Sequence, residues 1–132
     1  MARHGAVLND VKAFASFAVD DLEKARRFYR DTLGLTIKDQ EYGGFEMEVG
    51  RGNSIMVYEK ADHTPATFTV LNFPVDDIEN TVKRLKDEGI RFETYDRPDL
   101  HTDAQGIAHW DGGPTMAWFK DPAGNILSVL TE

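Results

Sequence analysis

The residue whose neighbours best suit it to proton transfer is His109, which precedes Trp110 and lies two residues before Asp111. An imidazole titrates near neutral pH, so this side chain is a candidate general acid or base, or a displaced metal ligand. The alternative interpretation is an exposed loop histidine with no chemical role. His101 lies in a more polar stretch, and His63, in a short polar connection, is expected to be exposed and inert.

Cysteine chemistry is excluded because the 132-residue chain contains no cysteine. The protein therefore has no disulfide, no thiolate nucleophile and no cysteine-based zinc site. A metal ion would need histidine, carboxylate or other oxygen donors. Whether such donors meet depends on how the fold brings them together.

The acidic charge balance argues against two classes of partner. Fifteen Lys and Arg against 23 Asp and Glu give a net charge of −8, which disfavours binding to phosphate backbones and anionic lipid. We therefore expect neither a nucleic acid nor a membrane as partner. No window approaches the roughly 20 apolar residues of a membrane span, and the first residues lack a signal-peptide pattern. These features predict a cytoplasmic protein.

An internal repeat organises the chain. Residues 17–29 match residues 73–85 at five of thirteen positions, at a constant offset of 56. Each copy begins with strand-like alternation and changes to helical periodicity after a pair of aspartates. Asp20 and Asp76 are expected to cap the two helices, with a glutamate three residues later completing a capping-box pattern.

Each predicted helix is followed by short strand-like runs, and both halves end in a Gly-Asn turn before the last run, at Gly52-Asn53 and Gly124-Asn125. The pattern predicts two βαβββ modules, about residues 11–60 and 67–131, joined by a linker at 61–66. The chain is thus expected to form a single α+β domain over residues 1–132.

The repeated Val-Asp-Asp-[Leu/Ile]-Glu helix start resembles the vicinal oxygen chelate superfamily, as do the runs FYRDTLGL (28–35) and KDPAGN (120–125). That superfamily includes glyoxalase I enzymes, extradiol dioxygenases, and fosfomycin and bleomycin resistance proteins. The resemblance implies a cupped eight-stranded mixed sheet with helices on its convex side and a ligand on its concave face. It also implies a homodimer.

The same resemblance locates the positions where metal-dependent members hold their ion, on the first and last strand of each module. In this chain those positions carry Phe14, Met56, Val70 and Ser128. None of the four is a usual ligand for Zn, Ni, Fe or Mn, so we expect no metal and no cofactor. A shifted register would bring in Glu59, which leaves a non-standard site using Glu59 and His109 as an alternative.

Strand alternation gives the expected lining of the concave face. Trp118 precedes Phe119, so only one of them can face the ligand, and we assign Trp118 with Met116 to that side. Residues 95–115 have no counterpart in the first half and are expected to be either a lid over the site or a packed surface loop. The candidate ligand-binding residues are Phe14, Ser16, Met56, Tyr58, Phe68, Val70, Asn72, Trp110, Trp118 and Ser128.

Three functions are compatible with this pattern. The leading hypothesis is a metal-free protein that binds an aromatic or cationic small molecule and sequesters it, similar to bleomycin resistance proteins. The second is a lyase, isomerase or dioxygenase with a non-standard metal site or metal-free acid–base catalysis. The third is a dimerisation module whose concave face is filled by its own side chains.

Overall fold

The computed structural model describes residues 7–131. Its helices are α1 (Leu22–Arg27), which continues into a π-helical turn (Phe28–Thr32), and α2 (Ile78–Asp87). Its strands are β1 (Ala15–Val19), β2 (Ile37–Asp39), β3 (Phe45–Glu48), β4 (Ser54–Glu59), β5 (Thr69–Pro74), β6 (Asp96–Arg97), β7 (Leu100–His101), β8 (Ile107–His109), β9 (Thr115–Lys120) and β10 (Ile126–Thr131). No helix in these residues has the length and apolar character needed to cross a bilayer.

The strands form two four-stranded mixed sheets with matching topology. The first sheet has the order β1-β4-β3-β2 and the second β5-β10-β9-β8. β1 runs parallel to β4 and β5 parallel to β10, while the other pairs are antiparallel. The α+β class is confirmed, with the expected eight strands divided equally between the two sheets.

Both helices begin one residue later than the sequence predicted. The N-caps are Asp21 and Asp77, whose carboxylates accept hydrogen bonds from Lys24 N at 3.1 Å and Asn80 N at 3.0 Å. The prediction of Asp20 and Asp76 was wrong because the cap is the last extended residue and bonds the third helical amide. At the first helix, Glu59 Oε2 accepts a further bond from Leu22 N at 3.1 Å.

The fourth strand of the second sheet comes from the long insertion. The run that follows α2, residues 90–95, contributes only an isolated bridge between Phe92 and Phe119 within the described chain. β8, at residues 107–109, pairs with β9 instead. The insertion is therefore partly built into the sheet, and its β6–β7 ribbon is a separate small element.

The core lies on the helix-covered faces of both sheets and forms one cluster. Phe28 of the first half lies 6.5 Å from Phe119 of the second, measured between ring centroids. Beside them, Tyr29 donates a 2.6 Å hydrogen bond to Asp121, and Asn125 donates one of 2.9 Å to the carbonyl of Ala18. Burial, together with the charge and hydrogen bond of Asp121, raises the pKa of Tyr29 far above its ordinary value of 10.0. These bonds tie the two halves together.

Candidate functional site

Two adjoining grooves lie between β1 and β5, the end strands of the two sheets. The turn groove has a volume of about 650 Å³ and is bordered by Val49, Gly50 and Asn53 of the β3–β4 turn. The linker groove has a volume of about 510 Å³ and is bordered by residues of the β4–β5 connection. Both volumes fall in the range typical of small-molecule sites.

The linker groove brings together four of the predicted ligand-binding residues: Ser16, Tyr58, Phe68 and Val70. Phe68 is 67% exposed and Tyr58 42% exposed, so two aromatic rings are available to a guest molecule. Ser16 lies on β1, Tyr58 on β4, Val70 on β5 and Phe68 just before it. The groove therefore draws on both halves of the chain.

The turn groove contains two more of the predicted residues, Phe14 and Asn72. Asn72 accepts a 2.6 Å hydrogen bond from the hydroxyl of Ser128, which is fully buried. Ser128 therefore supports the groove through Asn72 and presents no surface of its own. The roles of these residues in binding stay predictions.

The remaining predicted residues, Met56, Trp110 and Trp118, line neither groove. Met56 is paired across the sheet with Ser16, and its sulfur accepts a 3.7 Å contact from the hydroxyl of Tyr42. Trp118 and Met116 lie on the face of β9 opposite Phe119, and the assignment of that face to a ligand stays a prediction. Trp118 is only 8% exposed.

Trp118 is covered by aromatic residues from the insertion. Its ring meets Tyr95 edge-on at 5.6 Å and Trp110 edge-on at 6.2 Å, and its Nε1 donates a 3.2 Å hydrogen bond to Thr69. Thr69 also lines the linker groove. The insertion thus packs on the second sheet beside the grooves, and its role as a lid over a ligand stays a prediction.

The four positions that the resemblance assigns to a metal ion carry side chains that do not suit one. Phe14 and Val70 have no donor atom, the hydroxyl of Ser128 is committed to Asn72, and the sulfur of Met56 contacts Tyr42. Such a set supplies no negative charge to replace the water of a divalent ion. Among residues 7–131 no three histidine or carboxylate side chains are grouped to hold a metal.

The alternative pair, Glu59 and His109, is divided between the two sheets. Glu59 is engaged at the start of α1, as described above. On β8, His109 points to the same face of the second sheet as buried Ile107. Trp118, on the neighbouring strand β9, points to the other face of that sheet. Its Nε2 lies 3.2 Å from a carboxylate oxygen of Asp103.

Asp103 is the centre of a local turn. Its carboxylate accepts hydrogen bonds from the amides of Gln105 at 2.9 Å and Ile107 at 3.0 Å. Although partial burial opposes ionisation, these amides and His109 hold the pKa of Asp103 below its ordinary value. The arrangement gives His109 a structural partner, while its catalytic role stays a prediction.

The linker groove also contains a residue that the sequence did not suggest. His63 was expected to be exposed and inert, but it is half-buried and lines the groove, and its Nε2 is buried without a hydrogen-bond partner in the described chain. A polar connecting segment gives no sign that it folds back over the strands.

Solved structures of similar fold cover 92% of this chain. One is a member of the Glyoxalase/bleomycin resistance protein/dioxygenase superfamily from Sphaerobacter thermophilus DSM 20745, with a TM-score of 0.68, 22% identity and 98% of its chain covered. Another is a lactoylglutathione lyase from Agrobacterium tumefaciens, with a TM-score of 0.64, 22% identity and 93% of its chain covered. TnmS3, an antibiotic binding protein from Streptomyces sp. CB03234, has a TM-score of 0.62 at 22% identity and is covered over 97% of its length. At these identities the likeness shows the fold alone.

No curated protein sequence matches the chain significantly. A family model does match it, over residues 11–129, nearly the whole length. The repeated modules and the turn motifs lie within that range. The chain belongs to the Glyoxalase/Bleomycin resistance protein/Dioxygenase superfamily.

Proposed function

We propose that the protein binds a flat, mostly apolar aromatic molecule in the linker groove and releases it unchanged, so that it acts by sequestration. The observation that carries this proposal is the meeting of Ser16, Tyr58, Phe68 and Val70 around one groove of about 510 Å³. Exposed aromatic rings beside a few polar groups favour an aromatic guest. The antibiotic-binding neighbour supports the same class of function.

The metal-ligand positions favour binding over metal-assisted catalysis, because their side chains offer no ion-holding set. Protein prepared from cells grown with added Ni, Zn, Mn and Fe should contain far less than one equivalent of any of these metals. One equivalent of bound metal that is lost on mutating Glu59 or His109 would support the enzymatic alternative instead.

Binding is tested by calorimetry and thermal shift with three probes: 2-naphthol as a neutral aromatic, N-methylquinolinium as an aromatic cation, and pyruvate as an oxo acid. We expect 2-naphthol to bind and to be recovered unchanged, because the groove offers rings and no free charge. A guest at 100 times its Kd adds about 2.7 kcal/mol to the free energy of unfolding. Tighter binding of N-methylquinolinium than of 2-naphthol would support an aromatic groove but would contradict a neutral ligand.

Two exposed aromatic residues give a matched pair of variants. Phe68→Ser removes a ring from the groove and should weaken 2-naphthol binding by roughly tenfold, about 1.4 kcal/mol. Tyr42→Ser removes a ring of similar exposure, 73%, that lines neither groove and should leave binding unchanged. Equal effects, or no binding by any probe, would contradict the proposal; the latter is the result expected of a pure dimerisation module.

We further propose that two copies associate as a homodimer. Val7, Leu8 and Val11, which line neither groove, are each more than half exposed in the single chain, which is unfavourable unless something covers them. Light scattering coupled to size exclusion should give about twice the mass of one chain. A mass of one chain across micromolar concentrations would contradict this.

A cytoplasmic location and protection against an antibiotic are proposals that follow from sequestration. Fractionation of cells that express the protein should recover it with the cytoplasmic fraction. Expression should also lower the sensitivity of cells to an aromatic drug that the purified protein binds, with the drug recovered chemically intact.

A further inference from the structure

The side chain of His63 borders the linker groove and carries a ring nitrogen without a partner in the described part of the chain. The residue is half-buried and lines the groove, while its Nε2 is shielded from solvent with no hydrogen-bond partner among residues 7–131. A buried nitrogen without a partner is unfavourable, because it loses its bond to water and gains none from the protein. A guest that covers this nitrogen while offering it a hydrogen bond is therefore favoured over a guest of the same shape that offers none.

The backbone around His63 is held at both ends. Lys60 N donates to the carbonyl of Val19 at 2.9 Å, and His63 N donates to the carbonyl of Lys60 at 3.0 Å. At the other end of the segment, Pro65 packs on Gly124 of the second half. A β-carbon added to Gly124 would lie only 3.1 Å from the proline ring. The imidazole is thus presented by a segment anchored to both halves, which lowers the entropy cost of binding.

The surroundings define what group would serve as partner. Lys60, the lysine of this groove, is engaged by Asp62 through a close ion pair, so it does not offer a free cation to a carboxylate. A hydroxyl both donates and accepts, and it can therefore bond either tautomer of a neutral imidazole. The rings of Tyr58 and Phe68 favour an aromatic body for the molecule that carries this hydroxyl.

We propose that His63 hydrogen-bonds the hydroxyl of a phenol or fused-ring aromatic alcohol bound in the linker groove. The bond forms with a turn of the imidazole ring about its Cβ–Cγ bond, which exchanges the places of Nε2 and Cε1. This inference rests on the proposed function and adds the polar group that selects among aromatic guests. His63 orients the ligand; it performs no chemistry on it.

The test compares 2-naphthol with 2-methylnaphthalene, which has nearly the same shape and no hydroxyl, by calorimetry and NMR of the full chain at pH 8. We expect 2-naphthol to bind about tenfold more tightly, and to shift the side-chain ¹⁵N resonances of His63 on binding. His63→Leu should reduce the preference to within about twofold. His101→Leu changes an exposed histidine outside the groove, next to Asp96, and should keep the preference.

The outcomes separate this inference from the function on which it rests. If both compounds bind in the groove with equal affinity and the His63 resonances stay unchanged, the hydrogen bond is refuted and the aromatic site stands. If neither compound shifts the resonances of Tyr58 or Phe68, the aromatic site itself is refuted. Should His63→Leu fail to fold, the affinity ratio and ¹⁵N shifts of the unmodified protein still decide the question.

Discussion

The two Gly-Asn turns of the duplicated chain close with an equivalent backbone hydrogen bond but differ in what their side chains do. In the first half Val49 N donates to the carbonyl of Asn53 at 3.1 Å, and in the second Asp121 N donates to that of Asn125 at 2.9 Å. The first turn borders the turn groove, with Asn53 exposed. In the second, Asp121 and Asn125 are buried between the halves. The turns differ at three of five positions, VGRGN against DPAGN, and the first of these, valine against aspartate, supplies the buried carboxylate.

Asp121 allows the second turn to connect the two halves of the chain. Its carboxylate accepts hydrogen bonds from the amides of Ala123 and Asn125, from the side-chain amide of Asn125 at 2.9 Å and from Tyr29. Asn125, 2% exposed, reaches on to Ala18 in the first half. One copy of the turn thus fixes the two halves through buried side-chain bonds, while the side chain of Asn53 in the other copy is exposed beside the turn groove.

The largest effect should come from removing the carboxylate. Asp121→Ala leaves buried donors without an acceptor and should lower the free energy of unfolding by about 3–4 kcal/mol. Val49→Ala, at the equivalent position, loses only two half-buried methyl groups and should cost about 1 kcal/mol. Urea unfolding followed by circular dichroism measures both, and similar losses would remove the distinction between the turns.

The two asparagines should differ in the same direction. Asn125→Ala removes the side-chain bonds to Ala18 and Asp121 from a buried site and should cost about 2 kcal/mol. Asn53→Ala changes an exposed side chain and should cost no more than about 0.5 kcal/mol. Thermal unfolding of the two variants measures the shift in Tm for each. Equal shifts would contradict the prediction and would mean that turn geometry matters more than burial.

Tyr29→Phe should be milder, about 1.5 kcal/mol at pH 8, because one hydroxyl bond to a charged group is lost. Since the pKa of Tyr29 is raised on folding, the unfolded chain releases this proton above about pH 10 while the folded chain keeps it. The tyrosine therefore stabilises below pH 10, and its advantage over phenylalanine should shrink by about 1.4 kcal/mol per pH unit above that. A difference that stays constant from pH 8 to 11 would contradict the buried hydroxyl.

The duplication, the helices and the faces of the strands could be predicted from the sequence, because alternation and capping residues are local. Which run supplies the fourth strand of the second sheet could not be predicted, because IRFETY (90–95) and IAHW (107–110) are both strand-like. β8 takes its place through long-range pairing with β9, and the register shift between Ile126 and Leu127 brings Thr69 within reach of Trp118. Such pairings depend on tertiary contacts that no short window contains.

Strand alternation anticipated part of the candidate site, since Ser16, Tyr58, Phe68 and Val70 line one groove. It did not anticipate that Ala15, Phe17 and Ile55, from the other alternation, line the same groove because it runs between strand edges. The division of the expected cup into two grooves depends on how the halves meet, which Tyr29 and the second turn determine through contacts 92 residues apart in sequence. His63 escaped notice because its position depends on how the linker packs.

The smallest effects should come from the pair that supports the turn groove, where one partner is fully buried and the other exposed. Asn72→Ala leaves the buried hydroxyl of Ser128 without its acceptor and should cost about 1 kcal/mol. Ser128→Ala removes that hydroxyl, and the exposed Asn72 can bond to water instead, so about 0.5 kcal/mol is expected. Because both single changes break the same bond, the order of the two costs tests the role of solvent at the groove. If Ser128→Ala lowers the free energy of unfolding in urea more than Asn72→Ala does, water does not reach Asn72. The turn groove would then be as closed to solvent as the surroundings of Asp121.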